Sequence, residues 1–593
     1  AREVGFTVFS ISVSLVAVFI PLLLMSGLVG RLFREFSVTL AAAVLVSMVI
    51  SLTVTPMMSR MLLRPADDAR HPDGQGASPD GFYGRTLRWT LQRPRLMAWA
   101  TAAVVGLGLV VFAVMPKGFF PQQDTGLLLG QVYGPQNISF GQMRDRFSEV
   151  VRMLRGNPSV DQVIGVLGAT GSSASNAGAL YVTLKPLHDP RQDSADVVID
   201  QLRKTFANEA GVQVTLQAVQ DIGVGGRQSA GQYQFTLSAD NRAALDVAAA
   251  RVEQAMRKVS LITDVSSDLM DGSVEAQIEI DRPAAARLGV SAQAIDQALY
   301  DSFGQRLVST IYREMNQYHV VMGLDPSQAG NPATLDQIYV TPGHGSELVP
   351  LSAIARWSVQ KTSLSQSHQG QFPAVTLSYN LSPGASLGPA QRAIRQAVDA
   401  LHLDPGIAAA PAGNAKAFAD TVKTMPLLIV TALLAVYIVL GMLYESLRHP
   451  LTILSTLPSA GIGALIALAA GGFEFSIIAL IGVILLIGIV KKNAILMIDF
   501  ALQVERAEGL SPQEAILRAS LVRLRPIMMT TLAAILGAVP LVIGSGYGSE
   551  FRQPLGVAII GGLMLSQVLT LYSTPAIYVL MDRFGTLHRR TPP

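Results

Sequence analysis

The stretch 475–502, FSIIALIGVILLIGIVKKNAILMIDFAL, is apolar almost throughout yet holds two adjacent lysines, Lys491 and Lys492, beyond its midpoint. About 20 apolar residues suffice to cross a bilayer, and a lysine within the hydrocarbon costs about 2.5–3.5 kcal/mol even on lenient insertion scales. A segment of this pattern reads as a membrane helix that needs a counter-charge. The usual one is a carboxylate on a neighbouring helix, and an intramembrane ion pair that a proton can break is the working part of many proton-driven pumps. Lys491 can be read equally as such a charge or as a residue that snorkels to the interface or packs on the helix surface. Lys492 is the stronger candidate: Asn493 follows it, and Asp499, seven residues on, returns to the same helix face.

The rest of the chain agrees with a membrane protein. Half of the 593 residues are hydrophobic and only 15% are charged, which excludes a simple soluble enzyme. A net charge of +3 spread over this length leaves no nucleic-acid footprint. The chain has no cysteine, which removes disulfides, thiolate metal sites and cysteine nucleophiles from consideration. No lysine follows a glycine, so the phosphate-binding GxxxxGK[ST] loop is absent, and there is no HExxH. The glycine-rich GSGYGSE at 544–550 lies between two apolar spans without a β-α-β context and reads as a turn.

In chain order, apolar spans are expected at 4–28, 38–58 and 96–115, then at 425–444, 451–470, 475–502, 527–543 and 555–580. The connection after the second span carries Arg60, Arg64, Arg70, Arg85, Arg88, Arg93 and Arg95, and Arg448, Arg506, Arg518, Arg523, Arg525 and Arg583 fall on the same side. By the positive-inside rule that side is cytoplasmic, with Arg31 and Arg34 dissenting. The Pro/Gly/Asp-rich 65–81 reads as loose, and GFYGRTLRWTLQRP as an amphipathic helix on the membrane face. From 116 to 424 nothing is apolar enough to cross, so this part is expected outside the membrane.

That outer part alternates strand-like runs (LLLGQVYG, DQVIGVLG, ALYVTLKP, VQVTLQAV) with amphipathic helices. One helix is capped by Ser139 with Met143, Phe147, Val151 and Leu154 inward. Another is capped by Asp240 with Leu245, Ala249, Val252 and Met256 inward, and a third gathers Ala390, Ile394, Ala397 and Leu401. Tandem β-α-β units of the split type fit this rhythm. The segment 278–359 interrupts it and reads as an insertion, with VSTIYREMNQYHVVM as a projecting hairpin.

An internal repeat is visible in the spans. Pro21 and Pro540 stand 519 residues apart, as do Pro56 and Pro575, and Ser26-Gly27 recurs as Ser545-Gly546 at the same offset. Duplicated halves are common in secondary transporters. On that offset, and with no initiator Met and no signal-peptide pattern before the first span, ~420 residues are expected to precede Ala1, among them the repeat-mate of Lys492.

Several stretches then carry a family resemblance. GIVKKNAILMIDFAL, RLRPIMMTTLAAILGAVPLV, YIVLGMLYESLRHPLTILSTLPSAGIGALIAL, KGFFPQQDTG, VGGRQS and FGQRLVSTIYREMNQY resemble the resistance-nodulation-division (RND) multidrug exporters, most closely their Mdt-type subunits of mixed trimers. The likeness covers essentially the whole chain. It implies part of the RND fold: an α-helical transmembrane bundle with α+β periplasmic porter subdomains, split β-α-β and ferredoxin-like, and a docking subdomain. The implied division is transmembrane helices 5 and 6 at 1–60, a cytoplasmic linker with its amphipathic helix at 61–94 and transmembrane helix 7 at 95–115. Porter subdomains follow at 116–277, the docking subdomain at 278–359, the second porter subdomain continued at 360–423, transmembrane helices 8 to 12 at 424–583 and a cytoplasmic tail at 584–593.

The resemblance matches Lys492, Arg523 and Thr530 to the family's proton-relay lysine, arginine and threonine, with Asn493 beside them, and places the partner aspartates on a helix before Ala1. It implies a trimer-docking arm at Tyr312, Arg313, Asn316 and Tyr318. Substrate-lining candidates in VIGVLGATGSSASNAGALY are Val166, Gly168 and Tyr181. Members with a phenylalanine-lined pocket carry several Phe around this switch loop, whereas Tyr181 is the one aromatic here. An aromatic stacking pocket is therefore not expected in this subunit, and a partner subunit that does most of the binding stays open.

The function implied is a subunit of a tripartite efflux pump in a Gram-negative inner membrane, driven by the proton-motive force and exporting amphiphilic drugs by antiport. It is not an enzyme and takes no cofactor. Its implied partners are a periplasmic adaptor (membrane fusion) protein, an outer-membrane channel and homologous RND subunits in a homo- or heterotrimer. Heavy-metal export and SecD/SecF-like protein export are the alternatives. Clustered Met or carboxylates, which a metal conduit would want, do not stand out in the outer part, and Met528 and Met529 read as packing.

Overall fold

The computed structural model describes residues 2–25, 27–62, 81–168, 176–187, 190–207, 211–223, 229–269, 272–343, 347–363 and 365–588. Residues 63–80 of the basic connection, which include most of the segment expected to be loose, most of the switch-loop run (169–175), residues 224–228 of VGGRQS and the last five residues lie outside these.

Helices α1 (Arg2–Leu23), α2 (Gly27–Leu62), α3 (Phe82–Gln92) and α4 (Pro94–Val114) open the chain. The second span starts eleven residues earlier than its hydropathy indicates, so Arg31, Arg34 and Glu35 are the first turns of α2 and not a loop. A helix does not stop at the edge of the hydrocarbon, because its backbone bonds continue wherever water or headgroups solvate the side chains. The amphipathic α3 packs Leu87 and Leu91 against the bundle and donates the Tyr83 hydroxyl to the Leu571 carbonyl.

The first extramembrane unit runs β1 (Leu127–Tyr133), α5 (Phe140–Gly156), β2 (Val160–Leu167), β3 (Ala177–Leu184), α6 (Ala195–Phe206) and β4 (Gln213–Ala218), with antiparallel strands in the order β2-β3-β1-β4. Ser139 caps α5 by accepting from the Gln142 amide. Met143, Phe147, Val150 and Leu154 bury against the sheet; Val150 takes the inward place that periodicity gives to Val151, since four-residue steps drift round a helix of 3.6 per turn.

The second unit runs β5 (Tyr233–Ala239), α7 (Arg242–Arg257) and β6 (Ile262–Ser267), and is completed after an insertion. The cap of α7 is Asn241, which accepts from the amides of Ala243 and Ala244; Asp240 stands one residue before it. The insertion holds β7 (Ser273–Ile280), α8 (Arg282–Arg287), α9 (Ala292–Phe303), β8 (Arg306–Tyr312), β9 (Gln317–Met322), α10 (Pro326–Ala329), β10 (Tyr339–Val340), β11 (Val349–Pro350) and β12 (Ala355–Thr362). Its stem is β7 paired with β12 over their full lengths, and it has a small core of its own around Ile295, Val340 and Ile354. The second unit resumes with β13 (His368–Gln369), β14 (Phe372–Leu381), α11 (Leu387–Asp399) and β15 (Ile407–Ala412). Four of its five strands lie in the order β6-β14-β5-β15, the arrangement of the first unit, and the short β13 pairs with the start of β14. Ala390 and Ile394 are inward on α11, but Leu401 lies past its end.

Helices α12 (Gly413–Tyr444), α13 (Arg448–Leu454), α14 (Leu457–Ala470), α15 (Ile477–Glu508), α16 (Pro512–Ile543) and α17 (Ser549–His588) complete the chain. Among the described residues, eight spans are long and apolar enough to cross a membrane, α13 and α14 together forming one of them. Helices α14 and α17 approach at backbone distance: a Cβ on Gly463 would stand 2.4 Å from the Gly561 carbonyl oxygen, so small residues set this contact. The most buried span is α15, which places Lys491 and Lys492 inside the bundle.

Candidate functional site

The two lysines have different surroundings. Lys491 is fully buried, and its ammonium donates to the Ser14 carbonyl of α1. The snorkelling expected as one reading for it is thereby overturned: α1 covers that face of α15 and gives the ammonium a carbonyl in place of the interface. Lys492, a 100° step further round the helix, is only part-buried, and among the described residues it makes no hydrogen bond or ion pair. Asp499, on the same face of α15, accepts instead from the Thr7 hydroxyl of α1.

Asn493 turns the other way and ties three helices together. Its side-chain amide donates to Thr531 Oγ1 of α16 at 3.3 Å and to Gln567 Oε1 of α17 at 3.2 Å, and Gln567 in turn meets the Met528 sulfur at 3.2 Å. Arg523 lies with its guanidinium 4.5 Å from the centroid of Phe500 on α15. Its Nε is buried and has no hydrogen-bond partner among the described residues. Thr530, two turns further along α16, bonds the Ile527 carbonyl of its own helix and is exposed. The α15–α16 contact thus joins Asn493 and Arg523 to neighbouring helices, whereas Lys492 has no partner among the described residues and Thr530 bonds only within its own helix. Gln567 and the buried Ser10 and Ser14 of α1 were not singled out in the sequence; the signal was a polar side chain recurring inside an apolar span.

The outer end of α15 is built into the extramembrane part. Phe475 donates its amide to the Pro116 carbonyl and accepts from the Gly118 amide, while Ile477 donates to the Phe119 carbonyl. Gly388, in the first turn of α11, donates to the Lys117 carbonyl. Glu474 sits in this joint and accepts from the Ser386 hydroxyl at the start of α11. Burial raises the Glu474 carboxyl above its ordinary range, and the Ser386 bond only partly offsets that. A second joint runs from the glycine-rich loop: the Tyr547 hydroxyl donates to Asp221, and the Asp124 amide to Glu550. The expected turn is present, with Gly546 and Gly548 at positive φ. Sequence reading had given it no contact.

The candidate substrate residues lie on the first unit's sheet, on the face turned away from α5 and α6. Tyr181 pairs with Ile164, two residues before Val166, and all three are exposed. Gly168 directly follows β2, at a φ of +76°. Gln131 and Tyr133 continue that face, joined by a hydrogen bond, so its far half is polar. The hairpin β8–β9 is exposed along nearly its whole length, with Tyr312, Tyr318 and Met315 outward and the Arg313 amide bonded to the Asn316 carbonyl across the turn. Among the described residues no three His, Asp or Glu side chains gather as a metal site.

Known proteins share this sequence over nearly its whole length. A family model described as the AcrB/AcrD/AcrF family matches residues 1–582. The chain is 49% identical over 587 residues to the multidrug resistance protein MdtC of Cronobacter sakazakii, an alignment covering 98% of this chain and 57% of that protein. It is 48% identical over 588 residues to MdtC of Klebsiella pneumoniae, with the same coverage, and 47% identical over 597 residues to MdtC of Escherichia coli, covering 100% of this chain and 58% of that one. The chain therefore spans less than two thirds of the length of the relatives it matches.

Proposed function

The chain belongs to the AcrB/AcrD/AcrF family of RND transporters, and on that premise we propose that it is part of a proton-driven multidrug exporter of the inner membrane. Its work is transport and not catalysis. The cargo we propose is amphiphilic drugs, and the name of the relatives, multidrug resistance protein, fits a drug cargo. The extramembrane units act as porter subdomains, and the inserted unit acts as a docking subdomain whose hairpin reaches a neighbouring subunit. A periplasmic adaptor and an outer-membrane channel complete the route out of the cell.

The observation that carries this reading is Lys492, a lysine in the membrane part whose ammonium has no partner among the described residues, beside a lysine whose ammonium donates to a backbone carbonyl. Its counter-charge is a carboxylate on a helix from the rest of the transporter, where the family resemblance puts an aspartate pair. Protonation of that carboxylate removes the attraction and lets the helix or the ammonium move. Movement of α15 reaches the porter units through Phe475, Ile477 and Glu474, which are bonded into the segment 116–119 and to α11. Arg523, in the first half of α16, and Thr530, two turns further along it, serve the proton's exit.

The test is drug resistance conferred by the full-length transporter, with its partners, on a drug-sensitive host. Lys492→Met keeps side-chain length, removes the charge and abolishes resistance at unchanged membrane levels. Resistance equal to that of the parent would refute the role.

A further inference from the structure

The two extramembrane units have separate hydrophobic cores, that of the first built around Leu128, Val150 and Leu180 and that of the second around Leu237, Val252 and Leu377. Between them lies an open cavity of about 490 Å³, with Asp196, Asp200 and Leu216 on the first unit's side and Asn380, Leu381 and Ser382 on the second's. Two bodies with separate cores that meet across a cavity are held at a given spacing by whatever directed contacts cross it.

One such contact is geometrically strong. Arg203 of α6 donates from Nε to Asp264 Oδ1 at 3.0 Å and from Nη2 to Asp264 Oδ2 at 2.8 Å, a two-pronged pair between the first unit and the second. The guanidinium is aimed by its own helix, since Nη1 donates to Asp200 Oδ1 at 2.7 Å. The carboxylate is aimed by Asn380, whose amide donates to Oδ2 at 3.0 Å. With Asp264 only 12% exposed and Arg203 28%, the pair is shielded from full solvent screening.

The backbone at Asp264 is shaped for this contact. Strand β6 pairs with β14 at Thr263–Asn380 and again at Ser266–Ser378, so Asp264 and Val265 together oppose the single residue Tyr379. That is a β-bulge, a device that re-aims a side chain, and Asp264 takes it at a φ of +53°, a conformation that favours glycine. Valine beside it keeps its place in the core at 4% exposed. An aspartate at a strained position that points its carboxylate across an interface is there for the contact and not for the strand.

We propose that Arg203 and Asp264 form a latch that holds the two porter units together and limits how far the cavity between them opens. The latch rests on the exporter reading only for its consequence, which is admission of cargo; its mechanical part stands independently. Breaking the pair lets the units separate on the side of α6 and β6, while the remaining contacts between them, such as that of Gln122 with Gln232, act as the hinge side.

The test is the reactivity of one engineered thiol. This chain has no cysteine, so Ala385→Cys, on the cavity wall, reports solvent entry through its rate of maleimide labelling in the full-length assembled transporter stripped of any other cysteine. Asp264→Asn keeps a residue that tolerates the left-handed backbone and removes the charge, and Asp264→Gly relieves the strain as well. Both are expected to raise the labelling rate about tenfold, the worth of a charged hydrogen-bonded pair. A thiol at Val150→Cys, in the first unit's core, stays unlabelled if the fold is intact. Unchanged labelling at Ala385→Cys in both Asp264 variants, with the core thiol still protected, overturns the latch. Labelling needs no transport, so faster labelling without any change in resistance supports the latch and counts against the admission role alone.

Discussion

Gly118 stands where the membrane part joins α11, and a side chain there would strike Glu474. A Cβ built on Gly118 lies 1.9 Å from Glu474 Oε2 and 3.1 Å from its Cδ, but 3.4 Å from its Cβ. Gly118→Ala therefore expels the carboxyl from its seat and breaks the bond from Ser386, without colliding with the root of the Glu474 side chain. The lost hydrogen bond is worth about 1–2 kcal/mol, and the forced rearrangement of a packed joint adds about 1–2 kcal/mol. The single variant should lose about 2–4 kcal/mol. Glu474→Ala loses the bond but opens the space, at about 1–2 kcal/mol. The double variant should be no less stable than Glu474→Ala, which makes the two changes strongly non-additive, by about 2 kcal/mol or more. Denaturant or thermal unfolding of the full-length protein in detergent, run on the parent and all three variants, measures this cycle. Additive losses would show that Gly118 and Glu474 do not meet, and would remove this joint from the path between α15 and α11.

Other expectations concern charge and capping. Burial alone would raise Asp124, but the two-pronged Arg191 bond and the amides of Ala195 and Gly126 hold it below its ordinary 3.8, so its contribution is present above that pH and is lost as pH falls through the folded value. Asp124→Asn strands a guanidinium that is 1% exposed and should cost about 3–5 kcal/mol at neutral pH, with less loss toward acid, read from unfolding curves across pH. For Glu474 the sign is opposite: its carboxyl is raised by burial, so its contribution is complete below about pH 4.5 and declines as pH rises through the folded value. Glu474→Gln should flatten that decline in the same unfolding series, and an unaltered pH slope would count against a buried titrating Glu474. Ser511 and Glu514 form a reciprocal capping box at the start of α16, so Ser511→Ala should cost about 1 kcal/mol and raise amide exchange in the first turn of that helix.

The sequence made the membrane helices and strands legible because their signals are local. Twenty apolar residues identify α4 or α15 wherever they stand, and alternating or 3.6-residue apolar patterns located β1 to β4, α5 and α11. Boundaries were less legible where a helix runs on past the hydrocarbon, as α2 does through Arg31 and Arg34, because hydropathy marks the solvent and not the backbone. The cap of α7 fell one residue late, on Asn241, since Asp and Asn in sequence are both good caps and only φ and ψ choose between them. At the site, a charge inside an apolar run singled out the two lysines, but the environments of both depend on helices far off in sequence. Ser14, which accepts from Lys491, is 477 residues away. The partners of Asn493 were hidden for the same reason, as were Glu474 with Ser386 and Arg203 with Asp264: each pair is made by folding, and neither residue alone departs from what a surface or a loop normally holds.

Proton flux driven by an outward drug gradient, in proteoliposomes of the complete transporter, tests the relay most directly. Lys491 is fully buried and donates to a backbone carbonyl, whereas Lys492 is part-buried and has no partner among the described residues, which is the basis for assigning it the proton-sensitive role. Lys492→Met should abolish flux and Lys491→Met should leave most of it. Flux retained in Lys492→Met and lost in Lys491→Met would assign the relay to the other lysine, and flux retained in both would remove α15 from the proton path.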